Sequence, residues 1–188
     1  MDSMQASRMI GGNPGGKRSA SDFYPTPADV TEALLRFLDL PPYTVVWEPA
    51  CGDGHMTDVM KKHGLIVIES DIRFGFDFLT VDDQDCDWII TNPPFSIADK
   101  FVERCIASGK PFALLLKSQY WHAKKRLPLF KECPPTFICP LTWRPDFLFE
   151  QQEKGSPLMD VMWVIWERNS ITRYVPLERP DREVSESG

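Results

Sequence analysis

Residues 91–96, TNPPFS, combine an amide, two prolines and an aromatic ring at the end of an apolar run. A proline restricts the residue before it to extended conformations, and Pro93 and Pro94 themselves have a fixed φ and no N–H group. The backbone carbonyls of this stiff segment therefore remain available as hydrogen-bond acceptors. The side-chain oxygen of Asn92 and the carbonyl oxygen of Pro93 can then converge on one amino group, while Phe95 offers a flat face to a planar ring.

Such a site suits chemistry on a planar amine such as that of adenine. The exocyclic nitrogen of adenine is a poor nucleophile because its lone pair is delocalised into the ring. Two acceptors that take its hydrogens favour a tetrahedral nitrogen, whose lone pair can attack an electrophilic methyl group in line. A plain strand end, with a Pro-Pro turn and a buried Phe, is the alternative interpretation of the same residues.

Glycine-rich and acidic turns follow the other apolar runs. In EPACGDG (48–54), Gly52 and Gly54 permit a tight turn and a close approach of the backbone to a ligand. Asp71 is placed to accept hydrogen bonds from ribose hydroxyls, and Asp77 from an exocyclic amine. Each turn alone is equally consistent with an ordinary strand end. Because the phosphate-loop and complete dinucleotide fingerprints are both missing, the combination favours a cofactor without phosphates, S-adenosylmethionine.

The elements that must position these turns alternate along the chain. The predicted strands are residues 43–48, 65–70, 87–92, 111–117, 136–140 and 159–168, and the predicted helices are residues 26–40, 54–64, 96–109 and a broken helix at 119–132. The first helix is expected to have Thr26 as its N-cap and Pro27 at its first helical position. Apolar strands separated by helices predict an α/β, doubly wound, mostly parallel sheet, which binds ligands beyond the carboxyl ends of its strands.

Size and composition indicate one soluble domain. The chain has 188 residues, of which 43% are hydrophobic, and we expect a single domain at 22–178 between disordered tails at 1–21 and 179–188. We see no membrane-spanning run and no secretion signal. The five cysteines form no C-x-x-C pair and have no histidine at ligand spacing, which predicts free thiols in a reducing cytoplasm and no metal site.

Charge is segregated along the chain, although the net charge is −6. No acidic residue occurs between Arg104 and Lys131, where basic residues accumulate around an aromatic pair. We expect basic side chains there to hold phosphates, and the aromatic pair to wedge or stack against bases. The predicted nucleic-acid contacts are Lys117, Tyr120, Trp121, Lys124, Lys125, Arg126 and Arg144. A solvated amphipathic helix is the alternative.

Together the motifs resemble the N6-adenine DNA methyltransferase family, in the small form often seen in phages and prophages. The matching motifs, in the order of that family, are YPTP (24–27), EPACGDG (48–54), SDI (70–72), DFL (77–79) and NPPF (92–95). The resemblance implies the seven-stranded, Rossmann-like methyltransferase sheet with an antiparallel last strand, for which residues 159–168 are suited. It also implies S-adenosylmethionine as the cofactor and DNA as the partner.

The resemblance assigns roles to individual residues. The implied cofactor contacts are Tyr24, Pro25, Thr26, Glu48, Pro49, Ala50, Cys51, Gly52, Gly54, Asp71, Ile72, Asp77 and Phe78. Among them, the backbone of residues 24–26 holds the methionine part, Glu48 faces the amino group, Asp71 binds the ribose, and Asp77 with Phe78 contacts the adenine. The implied catalytic residues are Asn92, Pro93, Pro94 and Phe95, which hold the target amine and stack on the target base.

The chain departs from that family in size. Full-length members carry a large target-recognition region, whereas only residues 140–158 form a long irregular segment here. We therefore expect low or short sequence specificity, or a homodimer or partner chain that reads the site. Three alternatives remain open: methylation of adenine N6 in RNA, methylation of a glutamine N5 in protein, and a catalytically degenerate methyltransferase fold that acts as a binding module.

Overall fold

The protein is described by a computed structural model that covers residues 24–147, 159–167 and 171–181. The predicted tail at 1–21 lies outside these ranges, as do residues 182–188 and residues 148–158 of the irregular segment. Within the described ranges, no helix is both long and apolar enough to cross a bilayer.

The helices and strands follow the predicted order. The helices are α1 (Ala28–Leu38), α2 (His55–Lys62), α3 (Ala98–Ser108) and α4 (Leu127–Glu132). The strands are β1 (Val45–Glu48), β2 (Ile66–Glu69), β3 (Trp88–Thr91), β4 (Phe112–Lys117), β5 (Phe137–Pro140), β6 (Val161–Trp166) and β7 (Arg173–Tyr174). The predicted broken helix consists of two short 3-10 turns followed by α4. The sequence pattern does not predict β7, because two exposed residues carry no periodicity.

The seven strands of the described ranges form one sheet in the order β2-β1-β3-β4-β6-β5-β7. Strands β1 to β4 are parallel, and β6 lies antiparallel between β4 and β5. The short strand β7 then pairs in parallel with β5 at the edge. The predicted Rossmann-like methyltransferase fold is therefore confirmed, and β6 is the antiparallel strand expected at 159–168.

Helices cover both faces of the sheet. Ala113 and Leu115 of β4 belong to one buried cluster with the apolar sides of α1 and α2, whereas Leu114 and Leu116 belong to a second buried cluster with α3. All four side chains have no exposed surface. Because successive strand residues point to opposite faces, a strand buried on both sides must be apolar throughout, as the sequence of β4 is.

The order of the strands reverses between β1 and β3. From β1 the chain moves outward to β2, and it then returns past β1 to add β3 and β4 on the other side. Loops that leave the carboxyl ends of β1 and β3 therefore diverge and open a crevice between them. This crevice is where the glycine turn after β1 and the NPPF segment after β3 meet.

The start of α1 differs from the prediction. The helix begins at Ala28, its N-cap is Pro27, and no side chain caps it. Thr26 is therefore not the N-cap. Its hydroxyl instead accepts a hydrogen bond from the side chain of Asn92, at 3.0 Å. The residue that looked like a local helix signal is part of a long-range contact.

Candidate active site

A cavity of about 540 Å³ lies beyond the carboxyl ends of β1, β2 and β3, and its volume is within the range of small-molecule sites. The predicted cofactor and catalytic residues that line it are Tyr24, Pro25, Thr26, Glu48, Pro49, Ala50, Cys51, Asp71, Ile72, Asp77, Phe78, Asn92, Pro93, Pro94 and Phe95. Gly52 and Gly54 form the turn after β1, with left-handed φ angles of 56° and 85° that explain the need for glycine. Turns that are distant in sequence thus share one cavity.

The side chain of Asn92 has a fixed orientation in this cavity. Its Nδ2 donates hydrogen bonds to the carbonyl oxygen of Tyr24, at 3.2 Å, and to Oγ1 of Thr26, at 3.0 Å. A carbonyl oxygen can only accept, so the nitrogen of the amide must face Tyr24. With both amide hydrogens bonded to the segment before α1, Oδ1 is the atom of Asn92 that remains to accept a hydrogen bond from a substrate.

Glu48 is the most buried acidic residue of the site, with 1% of its surface exposed. Its Oε1 accepts hydrogen bonds from the hydroxyl of Thr91 and from the backbone N–H of Ala50, the latter at 3.2 Å. Its Oε2 is buried with no hydrogen-bond partner among the described residues. Removal from water raises the pKa of Glu48 to about 8, more than these two hydrogen bonds lower it.

A second carboxylate links the turns after β1 and β2. Oδ2 of Asp71 accepts from the backbone N–H of Gly52, at 2.9 Å, and its Oδ1 accepts from the N–H of Arg73, at 2.8 Å. The guanidinium of Arg73 also lies 3.0 Å from Oδ1 of Asp53 in the glycine turn. Asp71 is therefore held at the cavity wall by both loops, at the place predicted for an acid that binds ribose.

Asp77 and Phe78, the two residues predicted to contact the adenine, differ in how far they are buried. Asp77 is half-buried, and its Oδ1 accepts from the backbone N–H of Leu79, at 3.1 Å. Phe78 borders the cavity but is only 2% exposed, with its ring centroid 5.0 Å from that of Trp47 and 4.8 Å from that of Phe101. Phe78 is thus mainly a core residue that supports this end of the cavity.

Phe95 lies between an aromatic ring and a cation. Its ring centroid is 6.0 Å from that of Tyr24, and the Nζ of Lys117, at the end of β4, lies 4.7 Å from the Phe95 centroid. Lys117 is therefore next to the NPPF segment, as expected for a residue at the same edge of the sheet. A cation at this distance from a ring face is attracted by its electrons.

Three of the predicted nucleic-acid contacts, Tyr120, Trp121 and Arg126, pack against other parts of the protein. Tyr120 is only 5% exposed, and the guanidinium of Arg126 lies 4.1 Å from its ring centroid. Arg126 is also bonded to Asp99, at 2.6 Å. Trp121 donates its indole N–H to the sulfur of Met162 and packs on another aromatic ring. Tyr120 is therefore a buried packing residue, Trp121 packs beside it with part of its surface exposed, and Arg126 bonds to Asp99 of α3.

The other predicted cations remain at the surface. Lys125 is exposed and forms an ion pair with Asp99, whereas Lys124 is exposed and makes no ion pair within the described part of the chain. Arg144 forms an ion pair with Asp160, at 2.9 Å, and both side chains are more than half exposed. Since the backbone N–H of Ser118 donates to the carbonyl of Asp160, Arg144 lies near the carboxyl end of β4. The acid-free stretch is therefore partly neutralised by acids from elsewhere in the chain.

Sequence reasoning missed several residues of the cavity. The additional lining residues are Asp53, His55, Met56, Arg73, Phe76, Ser96, Ile97 and Phe101. Phe76 is 54% exposed and Ile72 is 46% exposed, so both offer apolar surface that a ligand would cover. Three exposed apolar side chains in one turn, Ile72, Phe74 and Phe76, are the signal that would have found this rim.

Comparison with solved structures supports the fold. The methyltransferase subunit of a type I restriction-modification system from Streptococcus thermophilus is 10% identical, with a TM-score of 0.53 over 84% of this chain and 47% of its own. A modification subunit assigned to a type I restriction enzyme from Vibrio vulnificus YJ016 is 14% identical, with a TM-score of 0.59 over 87% of this chain and 49% of its own. At these identities the likeness concerns the fold.

This chain spans about half the length of either solved structure. No protein-family model and no curated protein sequence matches the chain. The Rossmann-like methyltransferase fold is thus established by structural similarity, and the chemistry of the cavity depends on the residues within it.

Proposed function

We propose that the protein transfers a methyl group from S-adenosylmethionine to the N6 amine of adenine in DNA. The observation that carries this proposal is the orientation of Asn92, whose amide nitrogen is bonded to Tyr24 and Thr26. Its Oδ1 is thereby kept as an acceptor at the wall of the cavity. An acceptor-only group is what a planar amine with two hydrogens requires.

The residues of the cavity fit S-adenosylmethionine. The buried Oε2 of Glu48 has no hydrogen-bond partner within the described ranges, and an ammonium group would supply both a hydrogen bond and a compensating charge. Asp71, fixed at the end of β2, is placed for a ribose diol, while Ile72 and Phe76 offer apolar surface for a purine. When bound, S-adenosylmethionine supplies a methyl group on a positively charged sulfur.

The chain's own residues prepare the acceptor. Oδ1 of Asn92 and the carbonyl oxygen of Pro93 accept the two hydrogens of the adenine amine and favour a tetrahedral nitrogen. Phe95 stacks on the base and fixes its plane. Because these groups are held before the substrate arrives, they contribute by position and by electrostatics.

Two features support DNA as the acceptor. Lys117 lies beside Phe95 at the cavity, and Lys124 is an exposed cation of the acid-free stretch that follows, so both offer positive charge for phosphates. The two fold neighbours are both named as subunits of restriction enzymes or restriction-modification systems. A target adenine in a duplex must be rotated out of the helix to reach Phe95, at a cost of about a few kcal/mol.

A test supplies the protein with S-adenosylmethionine that carries an isotope-labelled methyl group and, in separate reactions, with unmethylated plasmid DNA, an RNA transcript and a glutamine-containing peptide. We expect label in the DNA. Label in RNA or peptide alone would replace the proposed acceptor. Binding of the cofactor without transfer to any of the three would contradict the proposed activity.

The variant Asn92→Ala tests the role of the amide in the same assay. We expect transfer to fall by about 100-fold or more, because an acceptor aligned with the reacting amine is lost. Cofactor affinity, measured by calorimetry, should change by less than about threefold, since one hydrogen bond at the cavity wall contributes little to it. Wild-type transfer by Asn92→Ala would remove Asn92 from the mechanism.

A further inference from the structure

The two hydrogen bonds of the Asn92 amide come from different kinds of partner. One acceptor is the backbone carbonyl of Tyr24, at 3.2 Å, which no side-chain substitution removes. The other is the hydroxyl of Thr26, at 3.0 Å, and it is the only one of the two that evolution or mutagenesis can change directly. The two residues joined by this bond are 66 positions apart in sequence.

Thr26 is built to keep its hydroxyl in one place. It is 4% exposed and precedes Pro27, which restricts its backbone to extended conformations. Its side chain is branched at Cβ and therefore stiff about χ1. The hydroxyl is not used to cap α1, so its acceptor capacity is directed at Asn92.

Loss of this hydroxyl would leave the amide with one hydrogen bond. The carbonyl of Tyr24, which can only accept, still keeps the amide nitrogen on its side. The last torsion of an asparagine is broad, however, so an amide with one hydrogen bond can swing about it and carry Oδ1 away from the amine of the substrate. The second hydrogen bond therefore fixes the plane of the amide and the position of Oδ1.

We propose that the hydroxyl of Thr26 is a positioning group for catalysis, because it fixes the plane of the Asn92 amide and so holds Oδ1 in place against the target amine. This inference rests on the proposed function. It assigns to the side chain of Thr26 a task separate from any contact of residues 24–26 with the cofactor. Removal of the hydroxyl should therefore lower the rate of methyl transfer and leave cofactor binding unchanged.

The test compares Thr26→Val, which replaces the hydroxyl by a methyl of similar shape, with Thr26→Ser, which keeps it. We expect Thr26→Val to lower kcat by about tenfold or more, with cofactor Kd and the KM for DNA within about twofold of wild type. Thr26→Ser should retain most of the wild-type kcat. Thermal unfolding of each variant checks that the fold is retained.

Thr31→Val is the matched control. Thr31 lies one turn into α1, has no exposed surface, and its hydroxyl has no hydrogen-bond partner among the described residues. Its replacement removes a buried hydroxyl from the same part of the chain without touching the cavity, so kcat should stay at the wild-type value.

A second readout does not depend on activity. The sequence contains three asparagines, Asn13, Asn92 and Asn169, so selective ¹⁵N labelling gives few side-chain amide signals in an NMR spectrum. The Asn92 signals, assigned by their loss in Asn92→Asp, should exchange slowly with solvent in wild type and Thr26→Ser. They should exchange several-fold faster in Thr26→Val, as one hydrogen bond is lost.

Each outcome is decisive. A wild-type kcat for Thr26→Val, a change in cofactor Kd alone, or equal damage from Val and Ser would overturn the positioning role. If wild-type protein transfers no methyl group to adenine, the proposed function fails and the catalytic part of this inference fails with it. The amide signals would then still report whether Thr26 holds Asn92.

Discussion

At the scale of single residues, Glu48 combines high burial with an oxygen that no hydrogen bond satisfies in the part of the chain that the structure describes. Its place at the end of β1 predicts a cofactor contact, but its hydrogen bond with Thr91, 43 residues away, appears only in the fold. Because burial raises the pKa of Glu48 to about 8, we expect its side chain to hold a proton at neutral pH in the free protein. A cation placed next to this carboxyl group would favour the loss of its proton.

Cofactor binding should therefore release a proton. An ammonium group next to Glu48 favours the carboxylate, so affinity should rise with pH between about 6 and 8, by at most about tenfold per pH unit. Calorimetry in buffers of different ionisation enthalpy measures the released proton. Glu48→Gln should bind the cofactor more weakly and lose this pH dependence; an unchanged slope in the variant would assign the proton to another group.

The same substitution has an opposite effect on stability. The folded protein binds the Glu48 proton more tightly than the unfolded chain does, so stability from this group falls as pH rises from about 4.5 through 8. Glu48→Gln cannot ionise and should have the higher melting temperature at pH 8. A melting temperature at pH 8 below that of wild type would contradict the unfavourable burial of this charge.

At the scale of elements, the glycine turn between β1 and α2 determines where the cavity wall lies. Gly54 has a φ of 85°, and a Cβ there would lie 3.2 Å from Oγ1 of Thr57. That hydroxyl donates to the carbonyl of Gly54, at 2.8 Å, and Thr57 is buried. The first turn of α2 is therefore hydrogen-bonded to the glycine turn and packs against it.

Gly54→Ala should lower stability by about 1–2 kcal/mol from backbone strain, and should also weaken cofactor binding because Thr57 and the turn must shift. Gly109→Ala is the matched control, since Gly109 has a φ of 67° at the end of α3 with open space around it. It should lose similar stability and keep wild-type cofactor affinity. Equal changes of cofactor Kd in both variants would show that the turn does not shape the site.

The charge of the basic segment at residues 124–126, directly before α4, cannot be judged from the sequence alone. Its cations look unneutralised in sequence, but Asp99 of α3 pairs with both Lys125 and Arg126. Lys124, exposed and outside these pairs, is the cation of this run that is best placed to meet a phosphate. Charge counted along a chain is thus a poor measure of charge on a surface.

Lys124→Glu should weaken DNA binding and reduce the slope of log affinity against log salt by about one. Lys62→Glu, in the last turn of α2 at the end remote from the cavity, is a control with the same change of charge. Binding measured by fluorescence anisotropy at several salt concentrations separates the two. Equal effects of both substitutions would reduce Lys124 to a solvated surface residue.

At the scale of the whole molecule, the sequence predicts the architecture of the sheet better than it predicts the contacts between distant loops. Apolar runs such as β4 identify buried strands because burial on both faces demands it, and the turns after β1, β2 and β3 converge because parallel strands share a carboxyl edge. Local patterns do not reveal pairings such as Thr26 with Asn92. Those depend on how distant loops meet once the sheet has formed.

The central claim is that this assembly of loops directs a methyl group to N6 of adenine. In the most direct measurement, plasmid DNA is treated with the protein and labelled S-adenosylmethionine and then digested to nucleosides. Labelled N6-methyldeoxyadenosine is quantified by mass spectrometry. We predict labelled N6-methyldeoxyadenosine in the wild-type reaction and a background signal with Asn92→Ala. Labelled DNA without that nucleoside, or an equal amount of it with Asn92→Ala, would contradict the account.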